Sequence, residues 1–254
     1  MSEYNPFSLK DKTILVTGAS SGIGRAIAVE CARLGAKVIL TARNEDRLKE
    51  TLSIIKEYCP ETESFYFCAD LTNEGEIEKL VENLDVINGV VHCAGVGNRA
   101  LCKTLKKSDL DDVMNPNFFA PVLLQKQILK KKKLLKESSV VFIASRAPFA
   151  PSVGNAVYSA SKGAILGYAN CLALELAPQK TRVNSILPAM VWTELVAKDA
   201  ELMGADYEEL QKQYPLGRYG QPEDVAHLTA YLLSDASSWM TGSTIDLTGG
   251  AKEL

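Results

Sequence analysis

The stretch Thr13-Ile14-Leu15-Val16-Thr17-Gly18-Ala19-Ser20-Ser21-Gly22-Ile23-Gly24-Arg25-Ala26-Ile27-Ala28 decides the fold. Thr13 to Thr17 is a short apolar, β-branched run of the kind that fills a buried strand. From Gly22 to Leu34 the apolar residues share one helical face, and Gly35 stands where a helix C-terminus favours a left-handed residue. Between strand and helix come Gly18, Gly22 and Gly24. Glycine permits a sharp turn and close approach to the backbone, because it carries no Cβ. The helix that follows offers unpaired N–H groups and the positive end of its dipole. A strand, a glycine turn and a helix in that order therefore read as a cradle for a diphosphate. The alternative is a turn that only needs glycine's freedom in φ.

Outward from this unit the same alternation continues. Further strands are expected at Lys37 to Thr41, Ser64 to Cys68, Gly89 to Cys93, Ser139 to Ala144, Arg182 to Leu187 and Thr244 to Leu247. Helical patterns fall near 45–58, 74–83, 108–135, 156–177 and 222–234. Continuously apolar strands alternating with helices indicate a parallel sheet covered on both faces, and right-handed crossovers make it doubly wound. The expected architecture is α/β: a Rossmann-type seven-stranded parallel sheet with helices on both faces. No repeat, low-complexity linker or composition break divides the chain, so a single domain over 1–254 is expected.

Composition narrows the function classes. A net charge of −3 provides no electrostatic basis for binding nucleic acid or an anionic membrane. No apolar run approaches the roughly 18 residues that span a bilayer, and the N-terminus lacks a secretory pattern. The six cysteines form no Cys-x-x-Cys pair and only two histidines accompany them, so no metal site is expected. Reduced thiols in a cytoplasmic protein are the expectation. The one charge run, Lys126 to Lys136, reads as a solvated helix end or as a docking point for an acidic partner.

A second constellation carries chemistry. Tyr158-Ser-Ala-Ser-Lys162 opens an Ala-rich helical segment, and residues four apart share a helix face. A free tyrosine, with a pKa of about 10, is a poor base at neutral pH, and a neighbouring cation favours its phenolate. Such a pair could donate or accept a proton at a carbonyl or alcohol oxygen. Tyr-x-x-x-Lys alone is also a common surface pair. Ser145, at the end of the strand Val140 to Ala144, sits where this kind of fold places its chemistry and could orient a substrate oxygen. At the end of the second strand, Leu40-Thr41-Ala42-Arg43 presents an arginine rather than a carboxylate. That suits a ribose 2′-phosphate, and so NADP(H) over NAD(H).

Taken together, Thr17-Gly18-x-x-x-Gly22-x-Gly24, Ser145 and Tyr158-x-x-x-Lys162 resemble the short-chain dehydrogenase/reductase family. The likeness covers essentially residues 7–250 and is strongest to the 3-oxoacyl-carrier-protein reductases and related carbonyl reductases. It implies a catalytic set of Asn117, Ser145, Tyr158 and Lys162, with Asn117 relaying protons through water and Lys162. Asn115 competes for the asparagine's place, but the register from Leu110 and the following helix fits Asn117. The implied cofactor contacts are Gly18, Ser20, Ser21, Gly22, Ile23, Gly24, Arg43, Asp70, Leu71, Ala94, Gly95, Tyr158, Lys162, Pro188, Val191 and Thr193. A substrate lid over about 189–215 is implied, in which Trp192, Leu195, Val196, Leu202, Met203 and Tyr207 line a pocket or pack internally. The likeness further implies a homotetramer or homodimer, and raises docking of an acyl carrier protein near Lys130, although Gln179 replaces the second basic residue.

Departures from the family pattern accompany it. His92-Cys93-Ala94-Gly95 replaces the usual Asn-Asn-Ala-Gly, which questions the geometry of that strand end, since a thiol cannot replace an amide's hydrogen bonds. Ser21 is often basic in NADP-using relatives. Pro188-Ala189 replaces proline-glycine, and Pro116 marks a kink before Asn117. The function implied is NADP(H)-dependent interconversion of a ketone and a secondary alcohol, with a 3-oxoacyl thioester as one substrate class. Alternatives are a dehydrogenase of a sugar, polyol, steroid or secondary metabolite, and a non-catalytic cofactor-binding protein on the same fold.

Overall fold

Alternation along the strands decides which side each helix covers. In β1 (Thr13–Thr17), Ile14 and Val16 face one way and Leu15 the other, and all three are fully buried. The computed structural model describes residues 4–194, 196–197 and 207–251. The remaining strands are β2 (Lys37–Ala42), β3 (Phe65–Cys68), β4 (Ile87–His92), β5 (Leu134–Ile143), β6 (Arg182–Pro188) and β7 (Thr244–Leu247). They form one parallel seven-stranded sheet in the order β3-β2-β1-β4-β5-β6-β7, the expected doubly wound Rossmann-type arrangement. From β1 the chain winds outward one way to β3, then returns and winds the other way from β4 to β7. The direction reverses between β1 and β4, and ligands bind at such a crevice.

The helices are α1 (Gly22–Arg33), α2 (Glu45–Tyr58), α3 (Glu74–Glu82), α4 (Lys107–Met114), α5 (Ala120–Lys130), α6 (Ala156–Leu176), α7 (Tyr207–Gln211) and α8 (Pro222–Leu233). α1, α2 and α8 pack on the Ile14/Val16 face through Ile27, Leu48, Ile55 and Val225. α3, α5 and α6 pack on the Leu15 face through Ile77, Leu124, Ile165 and Leu172. Fully burying each such aliphatic side chain stabilises the fold by about 1.5–3 kcal/mol. Helix starts follow local chemistry. Asn44 caps α2 by accepting the Arg47 N–H, Asn73 caps α3, and Pro222 begins α8, where its missing N–H costs nothing.

One expected helix is broken into pieces. The stretch read as a helix over 108–135 is α4, a π-turn at Asn115–Phe119 and α5, and it stops at Lys130. Lys132 then takes a left-handed φ of 55° and β5 starts at Leu134, five residues ahead of the expected Ser139. The basic run therefore spans the end of α5, a tight turn and the first residues of a strand, rather than one helix end. Glu137, with φ of 61°, makes an irregularity where the β4–β5 register shifts. Among the described residues no helix is long and apolar enough to cross a membrane.

Candidate active site at the carboxyl edge of the sheet

The expected site residues lie along one edge of the sheet, following its strand order. Asp70 and Leu71 follow β3, Arg43 follows β2, Gly18 follows β1, Ala94 and Gly95 follow β4, Ser145 follows β5, and Pro188, Val191 and Thr193 end or follow β6. The glycine turn occupies the middle of this strip, beside the reversal point.

That turn closes backbone against backbone. Gly18 has φ of 69°, and a Cβ there would lie 2.9 Å from the Ala94 Cα. A Cβ on Gly24 would stand 2.2 Å from the Gly18 carbonyl oxygen, which no side chain could relieve. Ser21 precedes α1 in extended conformation and its side chain makes no capping hydrogen bond, and no acidic residue occupies the first turn. The first N–H groups of α1, from Gly22, Ile23 and Gly24, are thus left without a side-chain cap at the positive dipole end. A diphosphate fits this cradle in both shape and charge. Gly22 takes φ of 50°, and a Cβ there would rest 3.4 Å from the Thr193 Cγ2, so Thr193 lies against the turn.

Thr17 pins the neighbouring strand. Its hydroxyl donates to the Val91 carbonyl and accepts the N–H groups of Cys93 and Ala94, both at 3.0 Å. Sequence reasoning gave Thr17 no role beyond the motif. Because the Cys93 backbone is held this way, the His92-Cys93 substitution leaves β4 paired normally on both sides. His92 turns inward, with its Nε2 3.0 Å from the Gln125 Oε1 and its ring stacked on Phe142 at 4.6 Å. Burial lowers its pKa to about 4, against an opposing contribution from Gln125. It is a core residue. Burial likewise pushes the Cys93 thiol up to about 12, with Lys162 opposing.

At the β3 end of the strip, Asp70 accepts the N–H and hydroxyl of Thr72 at 2.9 and 2.8 Å. The backbone hydrogen bond from Thr72 is the main reason its carboxyl titrates below the usual range, with Arg43 adding attraction. Arg43 is exposed, and its side chain makes no hydrogen bond or ion pair among the described residues.

At the other end, the π-turn carries buried Asn117 inward. Its Oδ1 accepts the Val96 N–H at 2.8 Å, and its Nδ2 donates to the Val96 carbonyl and the Ser161 hydroxyl at 2.9 and 3.0 Å. Ser161 in turn donates to the Tyr158 carbonyl at 2.7 Å. Sequence reasoning missed Ser161, although its place within Tyr158-x-x-x-Lys162 was visible. A Cβ on Gly95 would lie 3.1 Å from the Asn117 Oδ1 and 3.5 Å from the Lys162 Nζ, so these three positions meet at one point. Lys162 is buried and donates to the Ile143 carbonyl at 2.9 Å, and its Nζ lies 5.8 Å from the Tyr158 ring centroid. The Ser145 hydroxyl accepts the Ala147 N–H at 3.1 Å, and Ser159 donates to the Ala147 carbonyl. The loop bearing Ser145 is thereby tied to the helical turn bearing Tyr158. Asn115, the competitor for Asn117's place, is exposed.

Beyond β6, buried Val191 bridges to Gly220, and Trp192 stacks on Tyr219 at 5.9 Å. Tyr214 meets Tyr219 edge-on at 5.1 Å. Trp192 thus packs within an aromatic cluster. Leu195, Leu202, Met203 and the Tyr207 side chain of the expected lid lie outside the described residues. Arg146 is held by Asp246 at 3.1 Å.

A family model described as enoyl-(acyl carrier protein) reductase matches residues 18–252. The 3-oxoacyl-[acyl-carrier-protein] reductase of Rickettsia felis is 33% identical over 242 residues, covering 95% of this chain and 97% of that protein. L-xylulose reductase of Caenorhabditis elegans is 33% identical over 251 residues, covering 96% and 97%. A structure described as a putative NAD(P)-dependent gluconate 5-dehydrogenase from Beutenbergia cavernae, with bound NADP, superposes with a TM-score of 0.86 at 32% identity, covering 97% and 98%. This chain belongs to the short-chain dehydrogenase/reductase family. It is an oxidoreductase acting on CH–OH groups, interconverting ketone and alcohol with a nicotinamide dinucleotide.

Proposed function

We propose that the protein is an NADP(H)-dependent carbonyl reductase in which Tyr158 is the general acid and base. The observation that carries this reading is the meeting of Asn117, Lys162 and Gly95 beside the Tyr158 helix turn, at the same sheet edge as the glycine cradle. Arg43, exposed after β2, supports a 2′-phosphate and so NADP(H). Gly18, Ser20 to Gly24, Asp70, Leu71, Ala94, Gly95, Pro188, Val191 and Thr193 would complete the dinucleotide contacts.

When bound, the nicotinamide supplies or accepts the hydride. Ser145 holds the substrate oxygen by hydrogen bonding. Tyr158 gives its phenolic proton to that oxygen in reduction and takes it back in oxidation. The Lys162 ammonium has three donors, and the Ile143 carbonyl uses one, which leaves two for the nicotinamide ribose hydroxyls. Its charge also favours the phenolate. Reprotonation of Tyr158 runs through Lys162 and a water held by the Asn117 carbonyl. Residue 121, the helical donor to that carbonyl in a regular turn, is Pro121, which has no N–H to give.

A 3-oxoacyl thioester is the proposed substrate, on the strength of the 33% identical carrier-protein reductase. A keto-sugar is the second reading, favoured by the L-xylulose reductase and gluconate dehydrogenase likenesses. The residues around 189–215 serve as the substrate lid, the exposed Lys130 at the end of α5 is the point where a carrier protein would dock, and the enzyme works as a cytoplasmic homotetramer. NADPH oxidation with 3-oxoacyl thioesters and keto-sugars tests the reading. Tyr158→Phe should lower kcat by about a factor of 100 to 10,000 while leaving NADPH affinity within twofold. Retained turnover in that variant would exclude the mechanism.

A further inference from the structure

Two arginines, Arg25 and Arg47, flank the glycine turn, a third, Arg43, follows β2, and the three are engaged differently. Arg25 is committed to the turn itself: its Nη2 donates to the Ser20 carbonyl at 2.7 Å and to Glu50 at 3.0 Å, while its Nε donates to Thr51 at 3.0 Å. Arg43, at the end of β2, makes no side-chain hydrogen bond or ion pair among the described residues. Arg47 makes an ion pair of 3.2 Å with Glu194, with both side chains substantially exposed.

The path of that ion pair is informative. Thr51, one helical turn beyond Arg47 on the same face of α2, donates to the Ala19 carbonyl at 2.9 Å. Arg47 therefore overhangs the turn from the β2 side. Glu194 follows Thr193, which rests against Gly22 on the opposite side of the turn. The pair thus crosses from one bank of the Ser20 to Gly22 segment to the other, with Arg47 on the helix that follows Arg43 in the chain. A carboxylate on the chain already holds this guanidinium above the turn.

We infer that Arg47 is a second 2′-phosphate-recognising residue beside Arg43, and that Glu194 is an internal anion which Arg47 leaves when NADP(H) binds. An exposed ion pair such as this one contributes little. A phosphate carries up to two charges and three acceptor oxygens, matches the guanidinium fork, and displaces a single exposed carboxylate. NAD(H), with a neutral 2′-hydroxyl, leaves the Arg47–Glu194 pair in place. The pair therefore sharpens the choice between the two cofactors.

This inference rests on NADP(H) being the cofactor. Calorimetric titration with NADP+, NAD+ and 2′,5′-ADP tests it. Arg47→Gln should weaken NADP+ and 2′,5′-ADP about tenfold and leave NAD+ within about twofold. Glu194→Gln should tighten NADP+ about threefold. The double variant should match Arg47→Gln, because Glu194 acts only through Arg47. Equal losses for NADP+ and NAD+ in Arg47→Gln, or no loss in either, would overturn the inference. If wild type prefers NADP+ and loses that preference in Arg43→Gln but not in Arg47→Gln, only the role of Arg47 falls. If wild type shows no preference and Arg43→Gln changes nothing, the NADP(H) reading falls, and the role of Arg47 with it.

Discussion

His92 shows how a single core side chain ties the stability of the fold to pH. Its imidazole lies 4% exposed between Gln125 and Phe142, and burial lowers its pKa from 6.5 to about 4. Between those values the unfolded chain binds a proton that the folded protein refuses. Stability contributed by the neutral ring is thus complete above pH 6.5 and declines as pH falls towards 4, by on the order of 3 kcal/mol in total. Urea midpoints measured from pH 8 to pH 5 should fall accordingly, and His92→Asn, which does not titrate, should flatten that acid limb. An unchanged slope in the variant would show that other groups cause the loss. The same burial explains why His92-Cys93 is tolerated: the strand end is held by the Thr17 hydroxyl, which does not depend on the residue at position 93. That dependence on Thr17 was illegible in the sequence, where the threonine reads as a strand end and a motif member but shows no partner.

At the scale of elements, the π-turn between α4 and α5 is where sequence and structure part most usefully. The strands and α1, α2, α3, α6 and α8 were legible from periodicity and end signals, since each carries a continuous apolar face and a cap, glycine or proline at a terminus. The segment after Lys107 was legible as helical but not as interrupted, because its apolar spacing continues through Asn115–Phe119 with one residue inserted. Its end was missed as well. The left-handed residue that stops it is Lys132 rather than glycine, and Lys130 to Lys133 otherwise reads as helix-forming. Pro116 and Pro121 both lack the N–H that a regular helix would use here, which favours the wider turn. Pro116→Ala should let the helix relax towards a regular register and rotate Asn117 away from Val96 and Ser161. The expected result is a thermal midpoint unchanged or raised and kcat reduced about tenfold or more, as misplacement by about 1 Å can do. A drop in midpoint with kcat preserved would refute this account. The other candidate residues could be named from the sequence because they sit at strand ends, in the glycine turn or at the four-residue spacing of one helix face. What stayed hidden were partners such as Ser161 and Val96, which touch Asn117 only after the turn brings them together.

On the scale of the whole molecule, the sheet places the candidate residues after β3 and β2, the glycine turn after β1, and Ser145 after β5 in strand order along one edge. The outer faces are less finished. Trp239 is 96% exposed, Leu174 on α6 is 79% exposed, and Leu110 and Phe119 emerge beside the π-turn. If they cluster, such side chains mark a surface that another chain covers, and the proposed tetramer supplies one. Light scattering should give about four times the chain's 27.6 kDa mass, and Leu174→Glu should shift it towards smaller species. A monomer in wild type at micromolar concentration would refute the tetramer.

The glycine turn has one further consequence. Its donors are main-chain amides and its shape depends on Cβ atoms that Gly18 and Gly24 do not have. The main-chain donors of such a cradle carry no group that titrates or is oxidised. The grip such a turn would have on a diphosphate is therefore indifferent to the acidity and redox state of its surroundings. Sensitivity to those conditions is confined to the two ends of the strip, where side chains rather than backbone would meet the ligand.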